Sequence, residues 1–378
     1  MSDPSPTAGT TKPYIGGQAV LEGVMMRAPA SFAVVVRRRD RSLSIRERAM
    51  QPEARKFARL PLIRGVASLV ESLRLGSEAL NFSAERLTED MEEEERAKPR
   101  PPVATALLGI LTALGLATFV LATADGSEAG AGGKKASRGP MMFMLVVALA
   151  FFVALPQAAS AGINRFFHMG LSIQSPGFQL LTGALKLTIV VGYLLGIRRI
   201  PDIRRVFQYH GAEHKTISTY EANEPLVVAN ARTKTTLHPR CGTTFIVMVA
   251  LVSIVVFTGV GSFLPRIHTG SEVLDNLAFF VEKLPFLPFL VALTFELQRV
   301  FARYCTTGPL RALLWPGFLV QKITTIEPDD DQLEVALAAL RATLFRQTAP
   351  ADAGEATEDV SFPGYDALAA AERLRSAA

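Results

Sequence analysis

Cysteine is scarce in this chain: Cys241 and Cys305 are the only two thiols in 378 residues. That excludes a disulfide-stapled scaffold and fits a reducing compartment. Tryptophan occurs once, and Asp, Glu, Lys and Arg together make up only 20% of the residues. The charges are also missing from whole stretches: residues 103 to 123 and 141 to 161 carry none. A chain with so much apolar content in unbroken blocks belongs to the membrane class rather than the soluble globular one. The opening MSDPSPTAGTTKPY lacks a positive flank followed by an apolar core, so residues 1–13 are expected to be a disordered tail and not a signal peptide. The net charge of +5 and pI near 9.3 arise from Lys and Arg flanking the apolar blocks. That is the placement that orients membrane segments, so the expected partner is a lipid bilayer and not a nucleic acid.

The expected fold is mainly α: about four transmembrane helices plus a re-entrant or interfacial helix, a small N-terminal β-hairpin element and cytoplasmic helices. In residues 14–87, Phe32–Arg38 and Ser42–Glu47 read as the hairpin. Leu62, Val66, Leu69, Val70 and Leu73 then recur at helical spacing, the pattern of an amphipathic helix. TEDMEEEERAKPRPP, residues 88–102, reads as a charged linker. Residues 103–161 read as a transmembrane hairpin. The region 162–243 combines a third apolar block, 178–197, with a His/Cys loop. Lys186 sits near the centre of that block, where a charge costs about 2.5–3.5 kcal/mol. Residues 244–304 form a second hairpin, kinked at Pro285 and Pro288. Residues 305–347 read as a cytoplasmic helical region with Leu333, Leu337 and Leu340 on one face, and 348–378 as a loose tail.

The positive-inside rule places the basic region before residue 103 and the loop Arg198–Arg240 together in the cytoplasm, with both termini inside. An even number of crossings must separate them. The block carrying Lys186 is therefore expected not to cross.

The chemistry concentrates in the loop. His210 and His214 in QYHGAEHKTISTYE are four residues apart and stack on one helix face, with Glu213 beside them in the pattern H-x-x-E-H. His238 and Cys241 in LHPRCGTTF add two further ligand types. The expected metal ligands are His210, His214, His238 and Cys241, with Glu213 as general base and Glu221 as an alternative carboxylate ligand. Imidazole with thiolate favours a divalent ion of the zinc type. Cys241 as a nucleophile activated by Arg240 and His238 is a weaker option. Glu22 and Arg27 in GGQAVLEGVMMR read as an ion pair in a buried turn. Glu296 in FELQRVFARY is an intramembrane acid that pairs with Arg299 or marks a functional path.

GGQAVLEGVMMR, Arg64–Gly65, YHGAEHKTI with Glu221, HPRCGTTF and PGFLVQKITTIEPDDDQLEVA occur together and in order. In these motifs the chain resembles the YqhQ-like family of bacterial membrane proteins, a domain of unknown function described as predicted metal-dependent enzymes. The resemblance runs from about Tyr14 to about Leu340, and it implies a multi-pass protein of the bacterial inner membrane whose HGAEH and HPRCG motifs form a shared polar core. One departure falls in the third apolar block, where the family tends to carry Glu-Gly and this chain has Thr182–Gly183. Two functions follow as expectations: a metal-dependent enzyme, plausibly a hydrolase, at the cytoplasmic membrane face, or a scaffold or accessory subunit whose metal is a structural clip. The second would have a membrane-protein partner. A transporter using Lys186 and Glu296 is a third option that no internal repeat supports. Oligomeric state is not encoded in any feature of the sequence.

Overall fold

The structure is a computed structural model that describes residues 12–50, 62–97, 150–265, 267, 269–305, 308–348 and 358–371. The chain begins with four strands, β1 Gly16–Val20, β2 Gly23–Ala28, β3 Ser31–Arg37 and β4 Leu43–Ala49. A fifth, β5 Glu358–Phe362, comes from near the other end. They form one antiparallel meander in the order β1-β2-β3-β4-β5. The expected hairpin is the β3–β4 pair, with Val35 opposite Ile45, but it is part of a larger sheet. GGQAVLEGVMMR folds into the β1–β2 hairpin, its two-residue turn closed by Glu22 at φ 51°.

Burial on both faces explains why the strand pattern is muted. Val24, Met26, Ala33, Val35 and Ile45 pack into one core, while Val20, Met25, Phe32, Val34 and Val36 pack into another. A strand covered on both sides reads as a continuous apolar run, as FAVVV does.

Helix α1, Ile63–Ala97, closes the second core with Leu75, Ala79 and Phe82. It also corrects the linker expected over 88–102, which is helical as far as Ala97. TEDMEEEERA contains no Gly or Pro, its glutamates are good helix formers, and Arg38 of the sheet's β3–β4 turn holds Asp90 at 2.5 Å and Glu89 at 3.1 Å. The tail beyond 347 is corrected in the same way, because β5 pairs with β4 and Arg46 binds Asp359 at 2.7 Å.

After a π-helical turn at Ala150–Ala154 come α2 Leu155–Phe166, α3 Pro176–Ile197, α4 Pro201–Glu221 and the short α5 Val228–Arg232. Then follow α6 Gly242–Val260, α7 Glu272–Lys283, α8 Leu287–Tyr304, α9 Trp315–Thr324, α10 Asp330–Thr348 and α11 Tyr365–Ala370. Three stretches among the described residues are long and apolar enough to cross a membrane: Pro176–Ile197, Gly242–Val260 and Leu274–Phe301. The last is interrupted at its prolines by a 3₁₀ turn, Leu284–Phe286. The first apolar block and residues 141–149 of the second lie outside the described residues.

The third block, expected as a re-entrant or interfacial helix, does not fold back on itself. It is an unbroken helix of 22 residues, about 33 Å long at 1.5 Å per residue, packed along α6. Its charge is accommodated by a neighbour, since Lys186 Nζ lies 3.5 Å from Ser253 Oγ.

The helix α10 lies across β2 and β3 and against α4, with Leu333, Leu337 and Leu340 fully buried as expected. Its Arg346 meets Glu47 of β4 at 3.4 Å, both groups almost inaccessible. The sheet, α4 and α10 thus form one body, which places the loop and the C-terminal helix on one side of any bilayer. Single cysteines at the exposed Ala229 and Thr348 should accordingly react with an impermeant maleimide only from the same side of sealed vesicles, and opposite sidedness would break this arrangement.

Candidate metal centre

Helix α4 positions the site. Pro201 opens it with its fixed φ, and Asp202 lies in the first turn, near the positive end of the helix dipole. Its second half is buried although polar: Glu213, His214, Lys215, Thr216 and Thr219 are all inaccessible. Gly211 allows this. A Cβ there would stand 2.2 Å from the carbonyl oxygen of Ile326, so only glycine lets the helix press against residues 325–328. The Ile326 N–H in turn donates to Phe207 O at 2.9 Å.

One helical turn stacks His210 and His214 with ring centroids 4.5 Å apart. Each imidazole is oriented by a carbonyl: Nδ1 of His210 lies 2.9 Å from Thr324 O, and Nδ1 of His214 lies 2.5 Å from Thr236 O. A carbonyl can only accept, so both Nδ1 atoms carry the proton and both Nε2 atoms are left for other use, the arrangement that metal-binding histidines adopt. Cys241, the residue capping the start of α6, brings Sγ to 3.1 Å from His210 Nε2. One ring nitrogen of each histidine and this sulfur all lie within 4.8 Å of one another. His214 Nε2 is buried and has no hydrogen-bond partner.

The remaining expected residues fall differently. His238 stacks near His214, with centroids 5.7 Å apart, but its Nε2 lies 3.3 Å from Glu221 and its Nδ1 accepts from Arg240 N at 3.4 Å. It is outside the three-atom group. Glu221 also pairs with Arg240, so it faces away from the group as well. Glu213 is buried, and its carboxyl packs against Gly17 of β1, where a Cβ would lie 2.7 Å from it. The two polar candidates of the β1–β2 hairpin do not pair with each other. Glu22, in the turn, binds Arg205 at 2.5 Å and Tyr209 at 3.2 Å, whereas Arg27, in β2, reaches Glu71 of α1 at 3.2 Å. Glu296 pairs with Arg64 rather than Arg299, with Oε1 2.6 Å from Arg64 Nε, because α1 packs on α8.

Electrostatics follow from burial. Burial opposes ionisation of Cys241, yet His210 and His214 hold its thiol well below the usual range. Burial, the largest single influence, works against a charged His210, but the Cys241 thiolate, its hydrogen bond to the ring, the Glu213 carboxylate and Thr324 O together outweigh it and lift the imidazole to about 9. His214 and His238 are both lowered, chiefly by burial. Burial pushes Glu213 up to about 8, with His210 opposing.

Several supporting groups were not apparent in the sequence. Gln321 accepts from His238 N at 2.8 Å and donates to His238 O and Thr244 Oγ1 at 2.7 Å each. Lys215 donates to Arg232 O at 2.9 Å and to Glu327. On the outer side, Lys12, Tyr14, Tyr220, Glu221 and Arg240 line a cavity of about 260 Å³.

The chain is therefore a mainly helical protein with a five-stranded antiparallel sheet and a buried His/Cys cluster at their junction. It belongs to the family described as "Protein of unknown function (DUF1385)", which matches residues 60–346. It is also similar to the uncharacterized protein YqhQ of Bacillus subtilis (strain 168), with 29% identity over 336 residues, 88% of this chain and 92% of that protein. No solved structure matches.

The close approach at Gly211 gives a test. Gly211→Ala should cost about 1–3 kcal/mol, as overpacking against backbone does. Gly192→Ala on α3, where an added methyl meets nothing, should be neutral. Denaturation midpoints of the detergent-solubilised proteins measure both, and equal midpoints would refute the packing argument.

Proposed function

We propose that this chain is a multi-pass protein of the bacterial inner membrane, with a zinc-type centre at the cytoplasmic membrane face and a metal-dependent, hydrolase-like activity. The observation that carries the reading is the buried, unpartnered Nε2 of His214 beside a cysteine sulfur and a second imidazole whose Nδ1 is likewise tied to a carbonyl. A buried donor or acceptor without a partner costs about 1–3 kcal/mol, so the donor set is built to be completed.

Two imidazoles and one thiolate suit zinc. With His238 turned to Glu221, the ligand set is His210, His214 and Cys241, three protein groups and not four. Closed structural sites use four ligands, whereas three leave one position for a substrate or water, which favours the catalytic reading over a clip. When bound in such a site, zinc polarises a carbonyl and lowers the pKa of water to about 7. The chain's own residues supply the rest. Thr236 and Thr324 hold the imidazoles in one tautomer, Cys241 contributes the negative charge, and Glu213, poised near neutrality, takes up a proton as general base. The alternative, a scaffold or accessory subunit with a structural metal, is favoured by the depth of burial, His214 being only 1% exposed.

Metal content and cellular function distinguish the two. The detergent-purified protein should hold a stoichiometric transition metal, and His210→Ala or His214→Ala should lose most of it. Absence of metal from the wild-type protein would remove the basis of both readings.

A sharper comparison uses Glu213, which ligates nothing in the proposed centre. Glu213→Gln should keep the metal and the membrane protein level while failing to complement a deletion strain. In a structural clip the same neutral isostere would be nearly silent, because only ligand loss costs folding free energy there. Full complementation by Glu213→Gln would end the enzyme reading.

A further inference from the structure

The segment Pro309–Leu319, at the start of the region read from sequence as cytoplasmic helix, carries an apolar face with no protein partner among the described residues. Leu310, Leu313, Trp315 and Leu319 are 45–56% exposed, while Leu314, Gly317 and Val320 on the opposite side are buried. Four large apolar side chains on one short stretch form the kind of surface that water-facing proteins avoid.

Its level in the fold identifies what covers it. Gly317 sits against the side chain of Thr244, two residues into α6, so closely that a Cβ would lie 2.3 Å away. Beyond the other end of the segment, the Lys322 carbonyl accepts from Arg198 at 2.7 Å, the first residue after α3. Gln298 of α8 donates to Cys241 O at 3.3 Å, so α8 passes the start of α6 just before ending at Tyr304. Three apolar helices therefore begin or end at the height of this segment. Its own composition matches that height: a tryptophan and leucines point outward, and Arg311 stacks over Phe318 with its charge exposed. Tryptophan and arginine beside leucine are the residues that settle at the headgroup and acyl boundary.

We propose that Pro309–Leu319 is an interfacial anchor whose Leu310, Leu313, Trp315 and Leu319 face is seated in lipid, an inference that rests on the membrane reading above. The same element carries the groups that hold the metal centre. Gln321, on the next turn, clasps His238, and Thr324 O orients His210. The anchor thereby ties the His/Cys group, through Thr324 O, to the bilayer surface.

Trp315, as the single tryptophan in the sequence, reports directly on this face without a mutation. Membranes containing the full-length protein would be washed with alkaline carbonate. The retained protein would then be placed in phosphatidylcholine–phosphatidylglycerol nanodiscs, with and without lipids brominated near the headgroup end of the acyl chain. The expected result is retention in the membrane, strong quenching of Trp315 by the brominated lipid, and acrylamide quenching several-fold weaker than for a Trp-containing peptide in water. Trp315→Phe should abolish the signal. Retained protein whose tryptophan is open to acrylamide and indifferent to brominated lipid would overturn the anchor and leave the membrane reading intact. Shielding from both quenchers would mean that a protein surface covers the face, which also overturns it. Release by carbonate would overturn the membrane reading and the anchor together.

Discussion

The structure depends on burying a polar helix. The second half of α4 carries a carboxyl, an imidazole, an ammonium and two hydroxyls into the interior between the sheet and α10. Buried polar groups need partners, and the Thr219 hydroxyl finds one within α4, donating to Lys215 O at 2.8 Å. The two imidazoles and the Lys215 ammonium take theirs from two distant stretches. Residues 232–241 give the carbonyls of Arg232 and Thr236 and the sulfur of Cys241. Residues 321–327 give the carbonyl of Thr324 and the carboxylate of Glu327. Each contact fixes a segment that would otherwise be a free connection, so the geometry of the site follows from the need to satisfy one helix. The whole arrangement requires backbone-to-backbone contact at Gly211, where a methyl group has no room.

How much of this the sequence reveals depends on whether a property is carried by side-chain type or by tertiary contact. The H-x-x-E-H spacing on a helix is a local property, and it places His210 and His214 one turn apart as the structure has them. Cys241 joins them, as its composition and position suggest. His238 does not, because Gln321 and Glu221, 83 and 17 residues away, turn it elsewhere, and no local pattern encodes such partners. The carbonyls of Thr236 and Thr324 are equally silent, since every residue has one. Charge patterns mislead in the same manner. The acidic run before Pro99 resembles a linker until Arg38 from the sheet is set beside Asp90 and Glu89. Glu296 has Arg299 nearby in sequence, but the packing of α1 on α8 gives it Arg64. The β3–β4 hairpin is legible because its short β-branched run and polar turn are local, whereas β5 pairs across more than 300 residues.

The site has two sides with different chemistry. Outward, His238 leads through Glu221 and Arg240 to the cavity lined by Lys12 and two tyrosines. Inward, Glu213 lies buried against Gly17 of β1, and burial raises its pKa. A buried carboxyl whose pKa is raised and an imidazole joined to a cavity-lining carboxylate thus lie beside the His/Cys group, and they are what the enzyme reading proposed above would draw on.

Charge balance gives the last constraint. A thiolate at Cys241 is buried, and an isolated buried anion is too costly to persist without compensation. Within the protein the nearest compensation is a protonated His210, and the upward shift of that imidazole expresses it. That solution leaves His214 Nε2 unpaired in the same pocket, so the protein alone answers one electrostatic demand and not the other. If His210, His214 and Cys241 held a divalent cation, as proposed above, it would supply positive charge to the sulfur and a partner for the lone pair of His214. The metal proposed above thus has its support in the placement of these three groups as well as in the motif.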